Sequence, residues 1–202
     1  MGSFFTNKDK HKIKKTIQKK YKKVAKSPQG LFKYPTGSAG LEASKYSSEI
    51  IDVLPKAVKD SYCGVGNPFA VEPVNEGEVV LDIGCGSGVD VIVAAMMTGP
   101  SGKVVGIDVT PEMLRRAQEN LSLTDLKNIT FEESSAENLS FPDRHFDVVI
   151  SNGAINLVPN KAKAISEVFR VLKPGGRLMI ADQVLTGEMP EEKKQIIKSW
   201  SQ

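Results

Sequence analysis

The stretch 79–88 constrains the fold of this chain more than any other segment. Its first five residues, VVLDI, form a short apolar run that is typical of a parallel strand covered on both faces. Glycines follow at positions 84, 86 and 88, where a side chain would block the approach of a ligand to the backbone. The apolar segment 89–97 then predicts a helix. A strand, a glycine loop and a helix N-terminus together favour binding of a polar ligand by backbone N–H groups.

The glycine spacing separates this loop from two other nucleotide-binding motifs. A dinucleotide fingerprint has glycine at its first, third and sixth positions, whereas the sixth position here is Val89. No Gly-Lys-Ser/Thr follows, so the loop is not a P-loop. Asp108 ends the next predicted strand 20 residues beyond Gly88, the offset at which a carboxylate binds ribose hydroxyls. We therefore expect a nucleoside site, with a glycine turn kept only for tight packing as the alternative.

Length and composition are those of one ordinary globular domain. The chain has 202 residues, and no apolar run is long enough for a membrane-spanning helix or for the core of a signal peptide. Its two cysteines, Cys63 and Cys85, provide no disulfide framework. We therefore expect a cytoplasmic protein without membrane association.

Charge is distributed unevenly along the chain. Residues 1–26 hold ten lysines and one acidic residue, while the remainder is acidic overall. We expect three parts: a basic arm and loop at 1–40, a cap or lid segment at 41–75, and the ligand-binding domain at 76–202.

The basic arm carries one apolar stripe at helical spacing, formed by Ile13, Ile17, Tyr21 and Val24. Three alternatives follow: the helix docks this stripe on the body, it binds nucleic acid or anionic lipid, or it stays disordered. Arginine is absent from the arm and Tyr21 is the only aromatic residue between positions 8 and 26, so nucleic acid is not favoured as a partner.

Beyond the glycine loop the pattern alternates between strands and helices. We expect strands at 79–83, 104–107, 129–131, 146–150 and 178–181, which predicts an α/β fold with a doubly wound, mostly parallel sheet. In such a sheet the ligand binds at the carboxyl ends of the strands, where segments 134–137 and 151–153 would lie.

Together these residues resemble the class I S-adenosylmethionine-dependent methyltransferases. The matching segments are 82–88, 106–108, 146–152 and 171–178. Within that superfamily, segments 46–47, 64–68, 108–113 and 151–161 are similar to the arsenite methyltransferases. The resemblance covers about residues 41–190. It implies a Rossmann-like transferase that moves a methyl group from S-adenosylmethionine to a small-molecule acceptor.

The resemblance also implies a role for each matching position. Asp82 and the glycine loop would hold the methionine part of the cofactor, and Asp108 would bind the ribose. Segment 136–137 would lie by the adenine, and Asn152 would line the methyl-transfer pocket. The complete predicted cofactor site is Asp82, Gly84, Cys85, Gly86, Gly88, Asp108, Val109, Met113, Ala136, Glu137 and Asn152.

The chain departs from the arsenite methyltransferases at their cysteines. Those enzymes bind trivalent arsenic through several thiolates, which are soft ligands. Here the position before the first strand is Val65 and the position after the fourth strand is Gly153. Cys63 remains as the candidate catalytic residue, with a small buried thiol as the alternative reading. No metal site is predicted.

Family members continue past the fifth strand with another helix and two strands, so the resemblance implies a chain truncated after that strand. Segment 190–200 can form one helix. The fifth strand would then be an exposed edge, which we expect a homodimer or the basic helix to cover.

Three functional hypotheses follow from these patterns. The first is a small-molecule methyltransferase, with an arsenite methyltransferase proper as a variant of it. The second is a cofactor-binding protein without turnover. The third is a nucleic-acid methyltransferase guided by the lysine arm.

Overall fold

A computed structural model describes residues 5–184 as one parallel sheet flanked by helices. The strand order is β3-β2-β1-β4-β5, and every pair is parallel. The strands are β1 Val79–Ile83, β2 Lys103–Asp108, β3 Ile129–Glu133, β4 Phe146–Asn152 and β5 Leu172–Ala181. The expected doubly wound, Rossmann-like fold is confirmed, and β1 with its glycine loop lies at the centre of the sheet.

Helices cover both faces of the sheet. They are α1 Asn7–Val24, α2 Gly37–Ala43, α3 Ser48–Val53, α4 Lys56–Asp60, α5 Val89–Thr98, α6 Pro111–Leu121 and α7 Lys161–Val171, with 3-10 turns at Pro68–Ala70 and Ile155–Leu157. Alternate residues of β1 serve opposite cores, because successive strand side chains point to opposite faces. Val80 packs with α5, whereas Leu81 packs with α7. No helix among residues 5–184 is long and apolar enough to cross a membrane.

Two regions differ from the sequence-based expectations. Segment 27–40 was expected to be a loop, but α2 begins at Gly37, and α4 was not expected. β5 begins at Leu172, directly after α7, whereas the strand was expected only at 178–181. Its pairing with β4 is irregular between Phe146 and Val148. Gly175, at φ +82°, adopts there a backbone conformation that other residues rarely reach.

The lysine-rich helix α1 docks on the body of the protein. Ile13 and Ile17 are buried and pack with Phe5, Tyr21 and Leu157. The helix is also held by polar contacts. Gln18 Nε2 donates to the Val109 carbonyl at 2.7 Å, and Lys22 pairs with Glu112 at 2.9 Å. The docked alternative is therefore the one that the structure shows.

β5 forms one edge of the sheet within the described residues. Arg177 ties this strand to the centre of the sheet by donating to both carboxylate oxygens of Glu78, at 2.6 and 2.8 Å. α1 packs mainly against α6 and lies over the ligand end of the sheet, so it is not the cover expected for the β5 edge. The helix expected at 190–200 lies outside the described residues, and dimerisation through β5 stays a prediction.

Candidate active site

A cavity of about 360 Å³ lies at the carboxyl ends of the strands. Its floor comes from the loop after β1 and from the ends of β2 and β4, and segment 134–137 after β3 forms one wall. Helix α1 forms a further wall with Lys10, His11, Lys14, Ile17 and Tyr21. A cavity of this size at this position is typical of a small-molecule site in an open α/β sheet.

The glycine loop presents its backbone to this cavity at Gly84 and Gly86. The Gly84 and Cys85 N–H groups donate to the Ile107 carbonyl at 2.8 and 2.9 Å. Gly84 has φ +74°, and a Cβ atom there would lie 2.3 Å from the Cβ of Ala154. A Cβ atom on Gly86, at φ +53°, would lie 3.1 Å from Met113 Cε. The left-handed backbone therefore favours glycine at both positions, and close packing against Ala154 adds to this at Gly84.

Two residues of the predicted cofactor site are not brought to the cavity wall. Gly88 caps α5 with φ +78°, and a Cβ atom there would lie 3.0 Å from both Ala117 and Phe131. Met113 is fully buried and supports the loop from behind Gly86. The structure gives these two residues packing roles. Glycine spacing and motif matching cannot distinguish such a role from direct contact with a ligand.

Asp108 joins the end of β2 to the glycine loop. Its Oδ2 accepts a hydrogen bond from the Gly86 N–H at 3.0 Å, and its Oδ1 accepts one from the Thr110 N–H at 2.8 Å. The residue lines the cavity and is 9% exposed. Burial raises its pKa, and the two N–H donors act in the opposite direction. Asp108 is thus placed where a sugar could contact it, but it also stabilises the loop.

Asp82 is a buried carboxylate without a protein partner. It lies on β1, is 2% exposed and lines the cavity. No group among residues 5–184 donates a hydrogen bond to it. Burial raises its pKa well above the usual range, with further increases from the charges of Asp90 and Asp108. A buried acid without a donor is costly, so this position favours a ligand that brings a positive charge or N–H groups.

Asn152, at the end of β4, fastens the segment before β1 over the cavity. Its Oδ1 accepts from the N–H groups of Val65 at 2.8 Å and Gly66 at 3.2 Å. Its Nδ2 donates to the Gly66 carbonyl at 2.7 Å and to Asp90 Oδ2 at 3.0 Å. A Cβ atom on Gly64 would lie 2.3 Å from Asn152 Nδ2, so glycine is needed there too. We call residues 62–66 the clamp.

Two tyrosines and Asp90 complete this network, and sequence reasoning assigned none of them to the site. The Tyr62 hydroxyl donates to the Gly66 carbonyl at 2.7 Å, and the Tyr46 hydroxyl donates to Asp90 Oδ1. Asp90 lies in the first turn of α5 and is 7% exposed. Asp90 follows Gly88 by two residues, so its sequence position indicated that it lies near the ligand. The separation of Tyr46 and Tyr62 along the chain gave no such signal.

Cys63 and Cys85 both line the cavity. Burial raises the pKa of the Cys63 thiol to about 12, and the charges of Asp108 and Asp90 add to this while Lys20 opposes it. The thiol is therefore protonated at neutral pH, which makes it a weak nucleophile and a weak soft ligand. Burial likewise raises the pKa of Cys85.

Val65 and Gly153, the two positions at which the resemblance implies cysteine, meet in space. A Cβ atom on Gly153 would lie 3.2 Å from Val65 Cγ1. Both residues are apolar here, so this junction offers no soft ligand. Across residues 5–184, no three His, Cys, Asp or Glu side chains form a group that could hold a metal ion.

A glycine loop after a central strand, a carboxylate at the tip of the next strand and a cavity across both tips define a nucleoside-binding domain of the Rossmann-like class. The methyltransferase-domain family matches residues 74–202, and the chain belongs to this family.

Known relatives place the chain among the class I methyltransferases. It is 38% identical to an arsenite methyltransferase of Halobacterium salinarum, over 78% of this chain and 40% of the relative. It is 32% identical to the arsenite methyltransferase of Mus musculus, over 97% of this chain and 54% of the relative. The chain therefore spans about half the length of these relatives.

A solved structure gives the same result. The crystal structure of an arsenic(III) S-adenosylmethionine methyltransferase from Chlamydomonas reinhardtii superposes with a TM-score of 0.60 and 38% identity, covering 74% of this chain and 50% of that chain. The predicted family, fold and cofactor, S-adenosylmethionine, are thus confirmed. The part that each residue takes in binding stays a prediction.

The residues present fit that cofactor. The donor-free carboxylate of Asp82 suits an ammonium or sulfonium group. Gly84 and Gly86 line the cavity without side chains, and their N–H groups donate to Ile107 and Asp108 within the protein. Of the predicted cofactor residues, those that line the cavity are Asp82, Gly84, Cys85, Gly86, Asp108, Val109, Ala136, Glu137 and Asn152.

Proposed function

We propose that this protein transfers a methyl group from S-adenosylmethionine to a small molecule, as a relative of the arsenite methyltransferases. The observation that carries the proposal is the donor-free Asp82 carboxylate, buried in the same cavity that Asp108, Gly84 and Gly86 line. Such an arrangement suits a ligand with a cationic amino-acid part and a nucleoside part.

The bound cofactor supplies an activated methyl group on a sulfonium centre. In the proposed site Asp108 binds the ribose hydroxyls, segment 136–137 contacts the adenine, and Asp82 with the loop at 84–86 holds the methionine part. Asn152 holds the clamp in place and so shapes the methyl-transfer end of the cavity. The work of the protein is then to align the acceptor and to exclude water.

The walls of the cavity support a small acceptor. Helix α1 covers one side and the clamp covers another, within a volume of about 360 Å³. A folded nucleic acid could not enter this space without displacing α1. The lysines therefore lie on a helix that closes the site, and the nucleic-acid hypothesis loses support.

An arsenite acceptor is the second candidate, because both curated relatives named above are arsenite methyltransferases. The local chemistry does not favour it. Val65 and Gly153 replace two thiolates, and the Cys63 thiol is held in its protonated form. We therefore propose an acceptor that needs no three-thiolate site and is already nucleophilic.

Two further properties belong to the same proposal. The free cysteines Cys63 and Cys85 are consistent with action in a reducing cytoplasm. The β5 edge would be covered in a homodimer, because an open strand edge offers unpaired backbone groups to a second chain. Light scattering coupled to size-exclusion chromatography tests this, and a monomer at all concentrations would refute the dimer.

Calorimetry and a methyl-transfer assay test the proposed function. S-adenosylmethionine and S-adenosylhomocysteine should both bind, and Asp108→Asn should weaken both. Transfer of labelled methyl is then measured with arsenite plus thiol and with a panel of small thiols and amines. Arsenite turnover that is lost in Cys63→Ser would establish the arsenite candidate. Binding without transfer to any acceptor would support a cofactor-binding protein, and no binding would refute the proposal.

A further inference from the structure

We propose that Asp90 is a further cofactor-binding residue, and that Asp90 and Asp82 form a carboxylate pair that recognises the positive charge of S-adenosylmethionine. The pair would let the site distinguish the sulfonium cofactor from S-adenosylhomocysteine, whose sulfur is neutral. The inference rests on the proposed function, and it assigns a role to a residue that no motif identified.

The strand order places Asp90 at the methyl-transfer end of the cavity. β2 and β3, which carry Asp108 and lead to segment 134–137, lie on one side of β1, whereas β4 lies on the other. Asp90 is bound to Asn152 at the tip of β4, through the 3.0 Å bond from Asn152 Nδ2. The nucleoside end and the Asp90 end are therefore on opposite sides of the central strand.

Both carboxylates of the pair are buried and face the same cavity. Asp82 is 2% exposed and Asp90 is 7% exposed. They are close enough for the charge of Asp90 to raise the pKa of Asp82. Two buried like charges that face one cavity are stabilised when a proton or a cation lies between them.

The other groups around the pair do not supply that positive charge. The nearby ionisable groups on the floor and clamp are Asp108, the thiols of Cys63 and Cys85, and the hydroxyls of Tyr46 and Tyr62. Each of these is neutral or negative near pH 7. Helix α1 contributes Lys10, His11, Lys14 and Tyr21 to the far wall, and Lys20 on the same helix acts on the Cys63 thiol. Among residues 5–184, neither Asp82 nor Asp90 forms an ion pair with a Lys, Arg or His side chain.

Burial gives the pair a pH dependence near neutrality. It raises the pKa of Asp90 to about 6, against the hydrogen bonds from Tyr46 and Asn152. A cation bound beside these carboxylates favours their ionised form, so binding releases protons at pH values where the pair is partly protonated. The preference for the sulfonium ligand should therefore increase as the pH rises through about 6.

The variant that tests this is Asp90→Asn, because it removes the charge and can keep the hydrogen bonds. The new amide oxygen can accept from Asn152, and the new amide N–H can donate to the Tyr46 hydroxyl. That hydroxyl can in turn donate to the Gly66 carbonyl, which lies 3.4 Å away. Tyr46→Phe removes the hydrogen bond from the Tyr46 hydroxyl to Asp90 but keeps the carboxylate of Asp90. Asp125→Asn, in an exposed loop, is the matched control.

Calorimetry with S-adenosylmethionine and S-adenosylhomocysteine, from pH 5.5 to 8, gives the readout. In the wild-type protein the ratio of the affinity for S-adenosylmethionine to that for S-adenosylhomocysteine should increase with pH. Measurements in two buffers of different ionisation enthalpy should show that S-adenosylmethionine releases more protons on binding than S-adenosylhomocysteine does. Asp90→Asn should lose about tenfold more affinity for S-adenosylmethionine than for S-adenosylhomocysteine and should flatten the pH dependence. Asp125→Asn should keep the ratio at every pH. Tyr46→Phe should keep it at pH 8, where Asp90 is ionised, and should move the change in the ratio to higher pH, because the Tyr46 hydrogen bond lowers the pKa of Asp90.

Equal losses for both ligands in Asp90→Asn, or a wild-type ratio that does not change with pH, would overturn the inference while leaving the proposed function intact. If Asp90→Asn fails to fold, the proton release of the wild-type protein still decides the question, and equal release by both ligands would overturn the inference. Failure of the wild-type protein to bind either ligand would instead remove the proposed function, and the inference with it.

Discussion

Replacing Gly84 with alanine tests how tightly the glycine loop is packed. Gly84 lies at φ +74°, and the added Cβ atom would lie 2.3 Å from the Cβ of Ala154. Two costs are expected, one for a left-handed backbone conformation and one for overpacking. They can be separated because Gly30 also lies at φ +74°, with no heavy atom within 4 Å of the added Cβ position.

The magnitudes follow from these geometries. Gly30→Ala should lower the free energy of unfolding by about 1 kcal/mol, which is the conformational cost alone. Gly84→Ala should add about 1 to 3 kcal/mol, because overpacking forces the backbones at 84 and 154 apart. Urea denaturation of both variants measures the difference. Titration with S-adenosylhomocysteine should show a loss of affinity in Gly84→Ala and none in Gly30→Ala.

A second substitution identifies the source of the extra cost. Ala154→Gly removes the methyl group that the new Cβ atom would meet, so it should recover about 1 kcal/mol or more in the Gly84→Ala background. The Gly30→Ala background should show no such recovery. Equal destabilisation by Gly84→Ala and Gly30→Ala, or no coupling between positions 84 and 154, would refute the argument that close packing requires glycine here.

Three other predictions concern the sheet edge, the Cys63 thiol and helix α1. The Arg177 guanidinium lowers the pKa of Glu78 to about 2 from 4.5, so stability should be lost as the pH falls from about 4.5 to about 2, and Arg177→Met should weaken that dependence in acid-unfolding curves. Alkylation of Cys63 by iodoacetamide should be slow at pH 7 to 9, because its pKa is raised to about 12; rapid labelling at pH 7 would contradict this. Gln18→Ala should speed dissociation of S-adenosylhomocysteine several-fold in stopped-flow experiments, while Lys12→Ala on the exposed face should not.

The double role of Asp108 changes how its substitution should be interpreted. Alanine at this position would leave the N–H groups of Gly86 and Thr110 without their acceptor, at a cost of about 1 to 3 kcal/mol for each buried group. Asp108→Ala would therefore lose stability together with any contact to the ribose. The structure shows that asparagine, which retains one oxygen, is the better test of ligand binding.

Local patterns determined the fold class and the edge of the sheet at which the cavity lies. The alternation of strands and helices can be read from short segments of the sequence. The same holds for the glycines at the tip of the first strand. In a parallel sheet the carboxyl ends of neighbouring strands share one edge, so Asp82, Asp108 and segment 136–137 could be placed together without knowledge of side-chain contacts. The apolar stripe of α1 also predicted a docked helix, although it did not show where that helix docks.

Only the tertiary structure decided what surrounds Asn152 at the cavity. Tyr46, Asp90 and Asn152 are far apart along the chain, and each alone is an ordinary polar residue. Their hydrogen bonds exist because the segment before β1 folds back over β4, a long-range contact that sequence spacing does not encode. The same folding separates Gly88, which packs against Ala117, from Gly84, which faces the cavity. Spacing predicted that a ligand would approach all three glycines. Packing decided which of them line the cavity.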